Sequence, residues 1–379
     1  GSNNRNCQEH RMPSPSAQKV KDEFKNSDRQ LLKSVDTTLT ERKRLGLDGL
    51  IGGLEAVVIN TELTRLKPAV QELLRTTGLG FTMAFEDDAY TTCLLQAPGS
   101  ADFLIRARKR EPNPFSSLNQ APKAQHLPNT RLETFVFRAN DLERFTAIQK
   151  SRGQDFLSGD IIRTPGFDYI QTPPSPCTGN ALGFVAFKGE RSYLKPGSRV
   201  LDWSFPKPEL PHLNSIFELD HCATRITAQD RDAAITEFLA LTGYHFEFAI
   251  YVETLNSITN VTRLSLQDYA MVFTSGIEPY REDGSSGPTE QFIANYGRRV
   301  HHMAFRTEDI DATYQALKDD GMEFLVELVG SPEDGLKQTF TMPSPNTLLV
   351  NEYIYRYGDF DGFFTMSNVT KLTEATDKQ

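Results

Sequence analysis

Two short segments, Asp220-His221-Cys222-Ala223 and Val300-His301-His302-Met303-Ala304, carry imidazoles inside runs that read as strands, and a single carboxylate follows in Val350-Asn351-Glu352-Tyr353-Ile354. Two imidazoles and one carboxylate can take one face of a metal ion and leave the other positions to substrate and oxygen, the facial triad of non-heme Fe(II) oxygenases. On a regular strand neighbours point to opposite faces, so only one of His301 and His302 is expected to reach a given ion. Aligning the two segments on their shared His-x-Ala sets His302 opposite His221 and leaves His301 level with Asp220. The expected ligands are therefore His221, His302 and Glu352. Glu352 falls in the period-two series Leu348, Val350, Glu352, Ile354, where an unpaired buried carboxylate would be costly and a cation would neutralise it. A salt bridge to Arg356 is the competing account of that glutamate. Zinc is the competing metal, but the helical His-Glu-x-x-His that usually accompanies such a zinc site is missing, as are GxSxG, the P-loop and GxGxxG.

Composition sets the frame for these residues. With 379 residues, 38% hydrophobic and 24% charged, the chain can bury two ordinary domain cores and matches neither a disordered nor a membrane protein. A net charge of −9 with no basic stripe argues against nucleic acid, so the expected partner is a small molecule. Cys7, Cys93, Cys177 and Cys222 are scattered and form no CxxC pair, which suggests neither a disulfide framework nor a zinc knuckle and fits a cytoplasmic location. No apolar run approaches the roughly 18 residues of a spanning helix, so no membrane partner is expected; a homodimer is compatible with the sequence.

The elements that must position the triad recur. A short apolar strand, an amphipathic helix, a glycine stop and further strands appear four times, with key strand positions at Glu55, Glu133, His221 and His302 and closing glycines at Gly78, Gly153, Gly243 and Gly321. The key positions lie 78, 88 and 81 residues apart, and the distance to the glycine alternates as 23, 20, 22 and 19. That order describes a paired module duplicated into two domains. We expect a polar, flexible arm over 1–46, a first domain over 47–195 that has lost the site, a Pro-rich linker over 196–215 and a catalytic domain over 216–379. Strand-helix-strand-strand-strand units imply an α+β fold whose curved sheets enclose a cavity.

From about 217 to 372 the chain resembles the 4-hydroxyphenylpyruvate dioxygenase family of the vicinal oxygen chelate superfamily, built from paired βαβββ modules. The similarity is carried by Leu219-Asp220-His221, by Val300-His301-His302-Met303-Ala304-Phe305, by Gln338-Thr339-Phe340-Thr341 and by Asn351-Glu352-Tyr353-Ile354. The resemblance implies that His221, His302 and Glu352 hold Fe(II), and that an α-keto acid chelates the metal itself and reacts with O2 by oxidative decarboxylation and hydroxylation. It also implies substrate-facing roles for Gln338 and Phe340, and for Phe364, Asn368 and Val369 around a gating helix near the C-terminal end. Departures fall in the expected pocket: Val369 and Thr373 replace aromatics, His301 replaces a glutamine, and Pro288-Thr289-Glu290 and Ile277-Glu278-Pro279 replace polar motifs. An aryl pyruvate is the first expectation for the substrate. The alternatives are benzylic hydroxylation as in hydroxymandelate synthases, an aliphatic α-keto acid, a non-redox metal-dependent lyase or isomerase, and an inactive binding protein of the same fold.

Overall fold

The computed structural model describes residues 24–379, so the expected arm over 1–23 lies outside the described residues. Within 24–46 the arm reading needs correction: helix α1 (Asp28–Arg44) is docked. Leu31, Val35 and Thr38 fall on one helical face and are buried, which is enough of an apolar stripe to seat an otherwise polar segment. Arg42 donates to the carbonyls of Leu239, Thr242 and Tyr244 at 3.0, 3.1 and 2.6 Å, satisfying the C-terminal end of a second helix.

The first half runs β1 (Ile51–Thr61), α2 (Leu66–Thr76), β2 (Gly80–Glu86), β3 (Tyr90–Gln96), β4 (Asp102–Arg108), β5 (Arg131–Ala139), α3 (Leu142–Ser151), β6 (Ile162–Arg163), β7 (Phe167–Gln171), β8 (Ala181–Phe187) and β9 (Arg199–Leu201). The second runs β10 (Ile216–Ile226), α4 (Arg231–Leu241), β11 (His245–Val252), β12 (Ser257–Arg263), β13 (Ala270–Ser275), α5 (Gly287–Tyr296), β14 (Arg299–Thr307), α6 (Ile310–Asp319), β15 (Val329–Ser331), β16 (Leu336–Phe340), β17 (Val350–Arg356) and α7 (Met366–Ala375). The fold is α+β with two sheets, ordered β6-β7-β8-β5-β1-β4-β3-β2-β9 and β11-β12-β13-β10-β14-β17-β16-β15. In each sheet the first strands of the two modules pair side by side at the centre. Strand β9 lies inside the stretch expected as linker and instead pairs with β2 at the edge of the first sheet. Among the described residues no helix is long and apolar enough to cross a membrane.

One buried apolar cluster runs through both halves, with Phe103 stacked on Phe305 at 6.0 Å and Phe137 packed on Phe238 and Tyr244. The repeat glycines serve two purposes. Gly153 and Gly321 have φ of 87° and 98°, the left-handed stop expected after a helix. Gly78 and Gly243 do not; a side chain there would meet the carbonyls of Ile216 and Ile51, where one half crosses the other. The concave face of the second sheet is lined by Ala223, Val261, Val272, Leu336 and Ile354, residues from both wings that share one cluster because the sheet curls into a half-barrel.

The two sheets share the same irregularities, and these fix the correspondence between them. Leu54 pairs with Phe137 and then Ala56 with Val136, leaving Glu55 extra; Leu219 pairs with Phe305 and then His221 with Ala304, leaving Asp220 extra. On the partner strands Glu133 and His301 are skipped in the same way. Ala56 and Thr134 therefore stand where His221 and His302 stand, and Gly183, which pairs with Val136, stands where Glu352 pairs with Ala304. The expectation that Glu55 and Glu133 occupy the ligand positions is off by one residue, because bulges shift the register without a sequence signal. A side chain at Gly183 would overlap the Tyr169 hydroxyl, so an aromatic ring fills the space that a ligand would need.

Candidate metal centre

His221 on β10, His302 on β14 and Glu352 on β17 come from three adjacent strands, and their donor atoms lie within 4.8 Å of one another. All three are buried. His221 Nε2 is 3.4 Å from one Glu352 oxygen and His302 Nε2 is 3.4 Å from the other. Among the described residues His221 Nε2 has no hydrogen-bond partner. Nitrogen and oxygen lone pairs converging at that separation repel one another unless a cation sits between them, so the donor set fits a divalent ion.

The surroundings fix which nitrogen of each imidazole is free. The extra residue at Asp220 turns its carboxylate alongside His221, where it accepts from His221 Nδ1 at 2.6 Å. Arg356, the alternative partner for Glu352, bonds instead to Asp220 at 2.7 and 3.2 Å. Burial alone would raise the Asp220 carboxyl, but Arg356 and His221 together hold it well below the usual carboxylate range. Burial disfavours a charged His221, yet Glu352 and Asp220 more than offset this and raise its pKa to about 9. A metal ion would take the place of that proton.

The second imidazole is set by a different chain. The bulge at His301 brings both rings of the pair together, with His301 Nδ1 and His302 Nδ1 2.8 Å apart and His301 Nε2 2.6 Å from Gln379 Oε1. The expectation that the two rings face apart holds only for a regular strand. Gln379 Oε1 accepts from His301 Nε2, so His301 Nδ1 receives the His302 Nδ1 proton and His302 Nε2 keeps its lone pair towards Glu352. Burial, then the charges of His301, His221 and Arg225, keep His302 well below its ordinary pKa and hence neutral.

The remaining expected residues are all brought close. Gln338 donates to Glu352 at 3.4 Å and accepts from Asn368 at 3.0 Å, so these two carboxamides form a line behind the carboxylate. The Phe340 ring lies 4.6 Å from His302 and the Phe364 ring 5.1 Å from His221. Val369, on α7, packs with Ala223, Ala304 and Ile354 on the concave face. Sequence reading gave no role to Asp220, Arg225 or Phe363, and placed His301 in the pocket without finding its contact with His302. Phe363 has φ of 65°, a strained value for a bulky residue, and its ring lies 4.5 Å from Arg263 and 4.4 Å from Arg356. A cleft of about 1120 Å³ between the halves reaches this side of the centre, lined there by Asp220, Arg356 and Phe363.

Residues 223–340 match the family model described as the glyoxalase/bleomycin resistance protein/dioxygenase superfamily. A triple mutant of 4-hydroxymandelate synthase from Streptomyces coelicolor superimposes with a TM-score of 0.61 at 16% identity, covering 86% of this chain and 98% of that one. A xylose isomerase-like TIM barrel/4-hydroxyphenylpyruvate dioxygenase fusion protein gives 0.56 at 14% identity, covering 87% of this chain and 53% of that one. The fold is that of the vicinal oxygen chelate superfamily. No curated protein sequence matches the chain. The strand order explains why the three donors, far apart in sequence, converge: in each sheet the first strands of the paired modules lie side by side, and the last strand of a module flanks them.

Proposed function

We propose that the chain is a non-heme Fe(II) dioxygenase that decarboxylates and hydroxylates an α-keto acid. The observation that carries this reading is the buried set of two imidazole nitrogens and one carboxylate aimed at a common point. When bound, Fe(II) supplies the oxygen-dependent redox chemistry. The chain's own residues do the rest. Asp220 keeps the His221 proton on Nδ1, His301 keeps the His302 proton on Nδ1, and Gln338 with Asn368 orients Glu352, so each donor is held in place for the ion, His221 giving up its Nε2 proton as the ion binds. Phe340, Phe364 and Val369 give the open side an apolar wall that excludes water from a reacting keto acid.

Aryl pyruvates head the list of substrates to test, followed by aliphatic keto acids suited to Val369. The test is metal analysis of freshly purified protein, followed by anaerobic reconstitution with Fe(II) and oxygen-uptake measurements over a keto-acid panel. One CO2 released per O2 consumed with at least one acid supports the proposal. Full iron loading with no uptake from any of them rejects it.

A further inference from the structure

Four arginines rank among the largest side chains with less than 2% exposure or nearly so, and three of them make two or more hydrogen bonds each, although among the described residues Arg131 and Arg299 leave Nε without a partner. Arg231 bonds to Asp28, Asn260 and Tyr251; Arg131 bonds to Asn119 and the carbonyls of Leu118 and Arg298; Arg299 bonds to Asn119 and the Thr130 carbonyl. Arg225 is different. Among the described residues its only hydrogen bond is a long one, 3.4 Å from Nη2 to Thr376 Oγ1, and its Nε and Nη1 have no partner. Its guanidinium lies 5.4 Å from the Phe292 ring, and among the described residues no carboxylate pairs with it.

The position of Arg225 relates it to the metal centre. It lies four residues beyond His221 on β10; the irregularity there puts its extra residue on β14, and β10 keeps unbroken register with β13 from His221 to Ile226, so His221, Ala223 and Arg225 share the concave face. Their Cα atoms are about 13 Å apart by strand geometry, within reach of a small molecule held at the metal and the arginine side chain together. Burial lowers the Arg225 pKa to about 9, which leaves it charged at neutral pH. An unpaired buried guanidinium is expensive, and a divalent ion nearby makes it more so. With neutral imidazoles, a divalent metal, Glu352 and Arg225 sum to two positive charges, which a simple keto acid monoanion leaves half balanced.

We propose that Arg225 is an anion subsite of the metal chamber and that the substrate is an α-keto acid bearing a second carboxylate at its far end. This rests on the keto-acid reading above and narrows it. The keto and carboxylate oxygens of one end address the metal, and the distal carboxylate accepts hydrogen bonds from Arg225 Nε and Nη1, the fork geometry that guanidinium matches.

The test is calorimetric binding, without oxygen, to protein whose Mn(II) content has been measured. The probes are acids of equal chain length with and without the distal carboxylate: 2-oxoglutarate against 2-oxovalerate, 2-oxoadipate against 2-oxohexanoate, and 4-carboxyphenylpyruvate against phenylpyruvate. In at least one pair the dicarboxylate is expected to bind ten times more tightly or better. Arg225→Met should reduce that preference to less than twofold, and Arg225→Lys should retain part of it. Equal affinities in every wild-type pair, or a preference that survives in Arg225→Met, overturn the subsite alone. Metal-loaded protein that binds none of the acids overturns the keto-acid reading and the subsite with it. The wild-type comparison does not depend on any variant folding.

Discussion

Arg356 grips Asp220 through two hydrogen bonds of 2.7 and 3.2 Å, and Asp220 in turn holds His221 Nδ1 at 2.6 Å. The metal-facing nitrogen of His221 is thus set by a residue from another strand. Asp220→Asn should weaken metal binding by about 10–100-fold, the usual effect of losing such a supporting carboxylate. Arg356→Met, which leaves Asp220 in place, should weaken it less. Competition with a fluorescent chelator measures both; equal metal affinity in Asp220→Asn and wild type would show that Asp220 does not orient the ligand.

His301 supports His302 by accepting its Nδ1 proton, so the character of the side chain at 301 should matter more than its charge. His301→Gln can still present an acceptor and should keep metal affinity within a few-fold of wild type. His301→Phe, which offers none, should lower it by about tenfold, at the mild end of the range for supporting residues. Chelator competition separates the two, and identical values would argue that His302 is held by packing against Phe340 alone.

The candidate triad was legible because His221 and His302 recur at the same place in two copies of a repeat, and because Glu352 interrupts an apolar face. Their supports were not legible. Asp220 and His301 sit beside ligands in the sequence, and strict alternation sends them to the opposite face; the bulges that bring them back depend on pairing with a distant strand. The same bulges misaligned the first domain, where Ala56, Thr134 and Gly183 hold the equivalent positions. Helix α1 was missed in part because its apolar face is narrow and its other anchors, Arg42 on α4 carbonyls and Asp28 on Arg231, join residues about 200 positions apart. Arg225 was readable in principle, since alternation along β10 places it on the face of His221, but a positive charge on a concave apolar face gives no sign of being unpaired until its neighbours are known.

Phe305 and Phe103 stack at the junction of the two halves, both almost fully buried. Phe305→Ala removes a ring from a core that runs continuously through both sheets and should cost about 3–5 kcal/mol. Denaturant unfolding should show a single transition moved to lower midpoint. Two separated transitions in the wild type would mean that the halves unfold independently.

Glu290, on α5, is buried and accepts the backbone N–H of Ala228 at 2.7 Å. Burial is the main cause that raises its pKa to about 8 from an ordinary 4.5, with Asp230 adding to it and the Ala228 N–H and Arg298 opposing it. The folded protein therefore holds a proton on Glu290 that the unfolded chain has already released between these two values. In that window the native state binds more protons than the unfolded state, so this group's contribution to stability falls as pH rises from about 4.5 to about 8. Glu290→Gln keeps a carbonyl acceptor for Ala228 and cannot ionise, so its stability should lack this component. Melting temperatures of the two proteins should draw together at the acidic end and diverge towards pH 8, the variant being the more stable there; parallel curves would show that Glu290 titrates near its ordinary value in the folded protein.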